Sequence, residues 1–283
     1  MADVRITEYT DPGCPWAYSA EPFRRRLQWL YGEDVEWGAR MVVLASSPDE
    51  YLERGFTPAK QAAAFKVMSR DHGMPIDTIP RPRMAATRPA CLAVVAARIH
   101  APEVAALLLR CLRVHNFAGD ALLDEPEMLE LAAASADIDA AELARWMADP
   151  RAEQALEEDM AAAREPMHAA RVLDYKLANW SGGRRYTCPS YEVTRLADGV
   201  TIAVPGFQPF AVYDVLLANL VPSTGRRAAP ESVPEVLRWA GAPLATREIA
   251  VLADLEQSDA REQLGRVADE RHVGADGFWT LRG

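Results

Sequence analysis

The stretch YTDPGCPWAYSAEPFRRRL, residues 9–27, decides the fold. β-forming residues run into Asp11-Pro12-Gly13, a sharp turn, and then into Cys14, Pro15, Trp16 and a run of helix formers. A strand that turns into a helix with cysteine in its first turn is a physical recipe for a reactive sulfur. Unpaired backbone N–H groups and the positive end of the helix dipole favour the thiolate there. Gly13 permits the turn, and Pro15 loses no needed N–H in the first helical turn. The stretch therefore predicts an acidified, exposed Cys14, against the plainer reading of a small buried hydrophobe. A redox motif of this kind usually has a second cysteine three places on. Here that place holds Ala17.

Outward from this stretch, VRITEYT (4–10) reads as a strand and AEPFRRRLQWLYG (20–32) as a helix with Phe23, Leu27 and Leu30 along one face. VEWGARMVVL (35–44) returns to strand character, so the first 45 residues spell β-α-β with a parallel pair. Residues 48–178 turn helical, opening with Thr57 as N-cap and Pro58 at the first helical position. A basic loop, GMPIDTIPRPRMAATRP (73–89), interrupts them. YEVTRL (191–196) and VTIAVPG (200–206) read as strands joined by Ala197-Asp198-Gly199, followed by a helix over 209–220. The fold class is α/β. The order resembles a thioredoxin-like domain (1–47 and 179–222) with an all-helical domain (48–178) inserted in it, and a short unit (223–283) behind.

The 283 residues carry a formal net charge of -10, which argues against a broad phosphate-binding surface and so against nucleic acid. MADVRITEYT lacks the apolar core of a secretory signal, and no window of about 18 apolar residues would span a membrane. Cys14, Cys91, Cys111 and Cys188 are scattered and make no zinc-type pairing. A cytoplasmic protein with reduced thiols is the expectation. Cys91 and Cys111 lie in apolar helical stretches and read as core. His72, His100, His115, His168 and His272 show no metal-ligand spacing, so no metal is expected.

The second motif is RRYTCPSYEV (184–193), with Pro189 before a strand. Together, DPGCPWAYSAEP, the helical insert and TCPSYEV followed by VPGFQPFAVYDVLL resemble the DsbA-like family of thioredoxin-fold proteins over residues 3–220. The nearest branch is the one with FrnE-like proteins, mycothiol-dependent reductases, kappa-class glutathione transferases and hydroxychromene-carboxylate isomerases. The resemblance implies that Cys14 is the attacking sulfur and Pro189 a cis-proline on the substrate side. It also places Pro15, Trp16 and Cys188 around the substrate. It implies no tightly bound cofactor, and a small thiol or disulfide, or a protein, as partner.

Ala17 departs from the disulfide-exchanging members, because no motif neighbour can release a mixed disulfide on Cys14. Three routes stay open. Glutathione or mycothiol could resolve it from solution, which is monothiol chemistry. Cys188 could resolve it, if the two cysteines meet disulfide geometry. Or Cys14 could bind a thiol without exchange, as in a transferase, isomerase, adaptor or sensor. In the basic loop, Arg81, Arg83 and Arg88 could clamp an anionic group, the alternative being a solvated loop. Trp16 and Tyr18 would form an apolar rim, unless Tyr18 points into the core.

The tail (243–283) has the cadence of a winged helix-turn-helix: a helix from Thr246, a second after LEQSD, and a wing hairpin around Asp276-Gly277. Its helical part carries Asp254, Glu256, Asp259, Glu262, Asp269 and Glu270, too acidic for a DNA contact. A protein-contact unit, such as one joining a homodimer, is the expectation.

Overall fold

The computed structural model describes residues 2–179 and 183–283. Strand β1 (Val4–Thr10) leads into a five-residue helix α1 (Pro15–Ser19) and then α2 (Glu21–Tyr31), with a break at Ala20. Strand β2 (Val35–Met41) returns parallel to β1, pairing Val4 with Val35 through Thr10 with Met41. The helical block follows as α3 (Asp49–Glu53), α4 (Pro58–His72), α5 (Arg88–His100) and α6 (Pro102–Ala118). It continues with α7 (Pro126–Ser135), α8 (Ala140–Met147), α9 (Pro150–Ala163) and α10 (His168–Val172). Thr57 caps α4 by accepting from the Lys60 N–H at 3.3 Å.

A short hairpin, β3 (Leu177–Asn179) and β4 (Arg184–Tyr186), precedes β5 (Ser190–Arg195) and β6 (Thr201–Val204). The main sheet has the order β2-β1-β5-β6, with β5 antiparallel to β1. Helix α11 (Phe210–Leu220) closes the sheet with α2, burying Leu27, Tyr213 and Leu217 against Val4, Ile6, Tyr191 and Val193. Period-2 alternation places Val4, Ile6, Glu8 and Thr10 on one face of β1. The first two meet hydrocarbon, whereas the last two meet charge.

The tail forms α12 (Val233–Ala240), β7 (Leu244–Ala245), α13 (Thr246–Ala253), α14 (Gln257–Val267) and the hairpin β8 (Ala268–Val273) and β9 (Asp276–Leu281). It does not stand apart from the rest of the chain. Its apolar cluster of Val236, Leu237, Ile249 and Trp279 includes Trp29 of α2, so its first contact is with its own chain.

Three sequence expectations need correction. The second tail helix begins at Gln257, before the end of LEQSD, and Asp269 and Glu270 lie in β8 rather than in a helix. The hairpin turns at Gly274, not at Asp276-Gly277. Gly274 has φ +61, and a Cβ there would stand 2.4 Å from the Ile76 carbonyl oxygen. That close approach explains why only glycine fits. Gly274→Ala should cost at least about 2 kcal/mol in chemical denaturation, since backbone must move as well as strain.

Candidate functional site

The site lies where β1 ends. Asp11 is fully buried and anchors the turn, accepting from the Gly13 N–H at 2.6 Å, the Leu44 N–H at 2.8 Å and the Thr87 hydroxyl at 2.7 Å. A Cβ at Gly13 would lie 2.7 Å from the Thr87 methyl, so the turn can pass under α5 only with glycine there. Cys91 on α5 donates its thiol to Asp11 at 3.3 Å, and burial and that carboxylate push its titration well up. It is a structural thiol.

Cys14 stands at the N-cap of α1 and makes no side-chain bond to the helix amides. Its Sγ donates instead to the Cys188 carbonyl oxygen at 3.2 Å. Only 3% of Cys14 and 6% of Cys188 is exposed; Tyr9, Ala17, Val42, Ala163, Leu177 and Tyr186 pack around them. The expectation of an exposed sulfur facing the amides of its own helix is therefore corrected. Segments far along the chain, α9, β3 and β4, cover it, and nothing near residue 14 in the sequence announces them.

The structure brings Cys188 to Cys14. The Cys188–Pro189 peptide bond is cis. Burial pushes the Cys188 thiol well up, aided by its hydrogen bond with Cys14 and the nearby Asp11, while Arg113 opposes them. Cys188 Sγ also donates to Thr10 Oγ1 at 3.8 Å. All four cysteines are free thiols. Cys111 packs at the edge of the helical core, half-buried, and lines a cavity of about 380 Å³ with Val114, Pro243 and Phe278.

Two cations near the sulfurs escaped the sequence reading. Arg185 is 2% exposed; it donates Nη1 to the Tyr186 carbonyl at 2.7 Å, and its Nε has no partner. Burial lowers its affinity for the proton, whereas Cys188, Asp11 and Cys14 raise it. The second is Arg113 of α6, which donates to Glu8 at 2.8 Å and to Glu21 and Thr10. The Arg184-Arg185 pair in a strand context was the available signal, since alternation must turn one of the two inward.

The expected clamp of Arg81, Arg83 and Arg88 does not assemble. Arg81 donates to the Asn116 carbonyl at 2.8 Å, Arg83 pairs with Asp124 at 2.8 Å, and Arg88 pairs with Glu153 and Glu157 of α9. Each satisfies a different acceptor, which an acidic chain makes easy to find. Arg81 and Arg83 line a cavity with Gly13, Tyr51 and Thr87, but at about 30 Å³ it holds one water, not a tripeptide. Tyr18 points into the core, stacking on Phe117 at 4.8 Å and donating to the Pro75 carbonyl at 2.7 Å. Trp16, 44% exposed, packs on His72 at 5.1 Å and Phe207 at 5.5 Å beside the site. Pro15 opens α1 between Trp16 and the sulfur. Among the described residues no cluster of three or more His, Cys, Asp or Glu could hold a metal, and no helix is long and apolar enough to cross a membrane.

Residues 8–171 match the family model described as Thioredoxin. The ClpXP adapter protein SpxH of Halalkalibacterium halodurans is 26% identical over 272 residues, covering 93% of this chain and 82% of that protein. Among solved structures, a Streptomyces coelicolor protein named as a DsbA oxidoreductase is 19% identical with a TM-score of 0.56, over 81% of this chain and 93% of its own. The cytosolic disulfide reductase DsbM of Pseudomonas aeruginosa is 16% identical with a TM-score of 0.54, over 76% and 99%. These structural likenesses concern the fold. With more than half its length matched by the family model, the chain belongs to the thioredoxin family.

Proposed function

We propose that this protein is a DsbA-like thiol–disulfide oxidoreductase whose reacting sulfurs are Cys14 and Cys188, with a low-molecular-weight thiol as its reductant. One observation supports this reading above the others: Cys188 sits against Cys14 while Ala17 leaves the usual second position empty of sulfur. Cys14, as thiolate, attacks one sulfur of a small disulfide and expels one thiol. Cys188 then attacks the Cys14 sulfur and expels the second, leaving a 14–188 disulfide. Two molecules of glutathione or mycothiol reduce that bond and leave as their own disulfide. The cover over both sulfurs favours narrow reagents over folded proteins. A reducing cytoplasm supplies such thiols, and the named cytosolic reductase of the same fold is consistent with that placement.

The test is turnover. With glutathione, glutathione reductase and hydroxyethyl disulfide, NADPH should be consumed in proportion to protein, while insulin reduction stays at background. A Cys14→Ser protein that keeps the wild-type rate would overturn the assignment, as would insulin being the faster substrate.

A second reading, a protein adapter, rests on its own observation. The alignment with the ClpXP adapter spans so much of this chain that it takes in most of residues 223–283, whereas the DsbM likeness spans 76% of it. Exposed Trp16, resting on half-buried His72 and Phe207, offers such a partner an aromatic contact. An adapter would accelerate ClpXP proteolysis of a bound protein and show no disulfide turnover.

A further inference from the structure

A line of buried charges connects the tail to the thiol site. Glu248 of α13 is fully buried and accepts from Arg110 of α6 at 2.6 and 3.0 Å; it also accepts from the Ala245 N–H at 2.8 Å. Arg110 reaches Glu21 of α2 at 3.5 Å. Glu21 pairs with Arg113, which also holds Glu8 and donates to Thr10 Oγ1. Thr10 touches Cys188 Sγ. The sequence places Arg110 and Arg113 about one helical turn apart on α6, and Glu8 and Thr10 at period 2 on β1, so these groups are held by regular structure.

Such a line alternates in sign, and its members are buried away from bulk solvent, where charges are weakly screened. Arg113 is 1% exposed and shares its donors among Glu21, Glu8 and Thr10. Any group that draws Glu21 away leaves more of the Arg113 charge for Thr10 and the sulfur beyond. Because the Thr10 oxygen accepts from Arg113, its own hydrogen is free to point at Cys188 when that sulfur is ionised. The groups facing Cys188 are Cys14 and Asp11 from the turn after β1, Tyr51 from α3, Arg113 from α6 and Arg185 from β4. Of these, Arg113 alone is wired through buried ion pairs to the tail.

We propose that Arg113 is a positioning residue for the Cys188 sulfur, and that through it the C-terminal unit sets how fast the Cys14–Cys188 pair closes. This rests on the reading of those cysteines as the reacting pair. The reacting step is balanced within the protein and one small thiol. Cys14 carrying a glutathione in mixed disulfide is attacked by the Cys188 thiolate; the 14–188 bond forms, and glutathione leaves as the thiolate and takes up a proton.

Two near-isosteric variants test it with opposite signs. Thr10→Val removes the hydroxyl that faces the sulfur, and closure should slow about tenfold. Glu248→Gln keeps the acceptor for the Ala245 N–H but removes the negative charge that pairs with Arg110. Arg110 then draws on Glu21, Arg113 is released toward Thr10, and closure should quicken about threefold, its pH profile moving to lower pH. Closure is read by loading Cys14 with glutathione, quenching with acid and weighing the intact protein. Rates that change in the same direction for both variants would mean general loosening and would overturn the proposal. Wild-type closure with both variants unchanged would overturn it alone, leaving the exchange reading standing. No closure in the wild-type protein would overturn both.

Discussion

Arg113→Ala is expected to destabilise the protein by about 3–5 kcal/mol. The side chain forms ion pairs with both Glu8 of β1 and Glu21 of α2, and all three groups are almost fully buried. Removing it leaves Glu21 only the longer 3.5 Å pair with Arg110, and leaves Glu8 only Arg24 at 2.8 Å. Carboxylates stripped of a partner inside a protein either take up protons or pull water in, and both outcomes are costly. Chemical denaturation followed by far-UV circular dichroism measures the loss. A cost under about 1 kcal/mol would mean that water enters the network, and the line from tail to thiol would have no physical basis.

The same network sets an acid limit. Burial raises the proton affinity of Glu21, but Arg113, then Arg110, Arg24 and Arg25, outweigh it and hold the carboxyl at about 2 instead of its ordinary 4.5. The folded value lies below the unfolded one, so the group adds stability at every pH above about 4.5 and loses that contribution as pH falls toward about 2. At neutral pH this amounts to roughly 3 kcal/mol. In Glu21→Gln the midpoint of unfolding should therefore depend much less on pH between about 5 and 2 than in the wild-type protein.

The second large effect is chemical. Cys14→Ser should lower disulfide exchange by about a thousandfold or more, because burial disfavours the thiolate of Cys188, the other sulfur in the site. Cys188→Ser should behave differently. Attack by Cys14 survives, the second step does not, and the mixed disulfide with glutathione accumulates until another small thiol displaces it. Intact-mass analysis after brief exposure to glutathione disulfide separates the two variants, one showing no adduct on residue 14 and the other a persistent one. Equal adduct formation in both would place the reactive sulfur elsewhere, with half-buried Cys111 the first to examine.

Much of this was legible in the sequence, and the rest was hidden for identifiable reasons. Periodicity gave β1 to the residue and β5 to within one, while the expected β2 and β6 ran two or three residues too long; the Thr57-Pro58 cap stands where capping chemistry demanded. Local signals suffice when a side chain and its partner lie within a few residues. The burial of Cys14 had no local signal, because Ala163, Leu177 and Tyr186 come to it from more than a hundred residues away. The arginines misled for the opposite reason. Arg81, Arg83 and Arg88 are close in sequence, yet each found an acceptor in a different direction. Arg110 and Arg113, three apart on α6, carry no motif that singles them out in the sequence. Only their ion pairs with Glu8 of β1, Glu21 of α2 and Glu248 of α13 show them joining three elements.

A peptide map taken after equilibration in a glutathione redox buffer puts the core assignment to its plainest trial. The expected product is a single cross-linked species joining the peptide that holds residue 14 to the one that holds residue 188, lost on adding reductant and absent from either serine variant. Glutathione found on residue 14 with residue 188 still alkylatable, at every buffer ratio, would contradict the pairing of these two sulfurs.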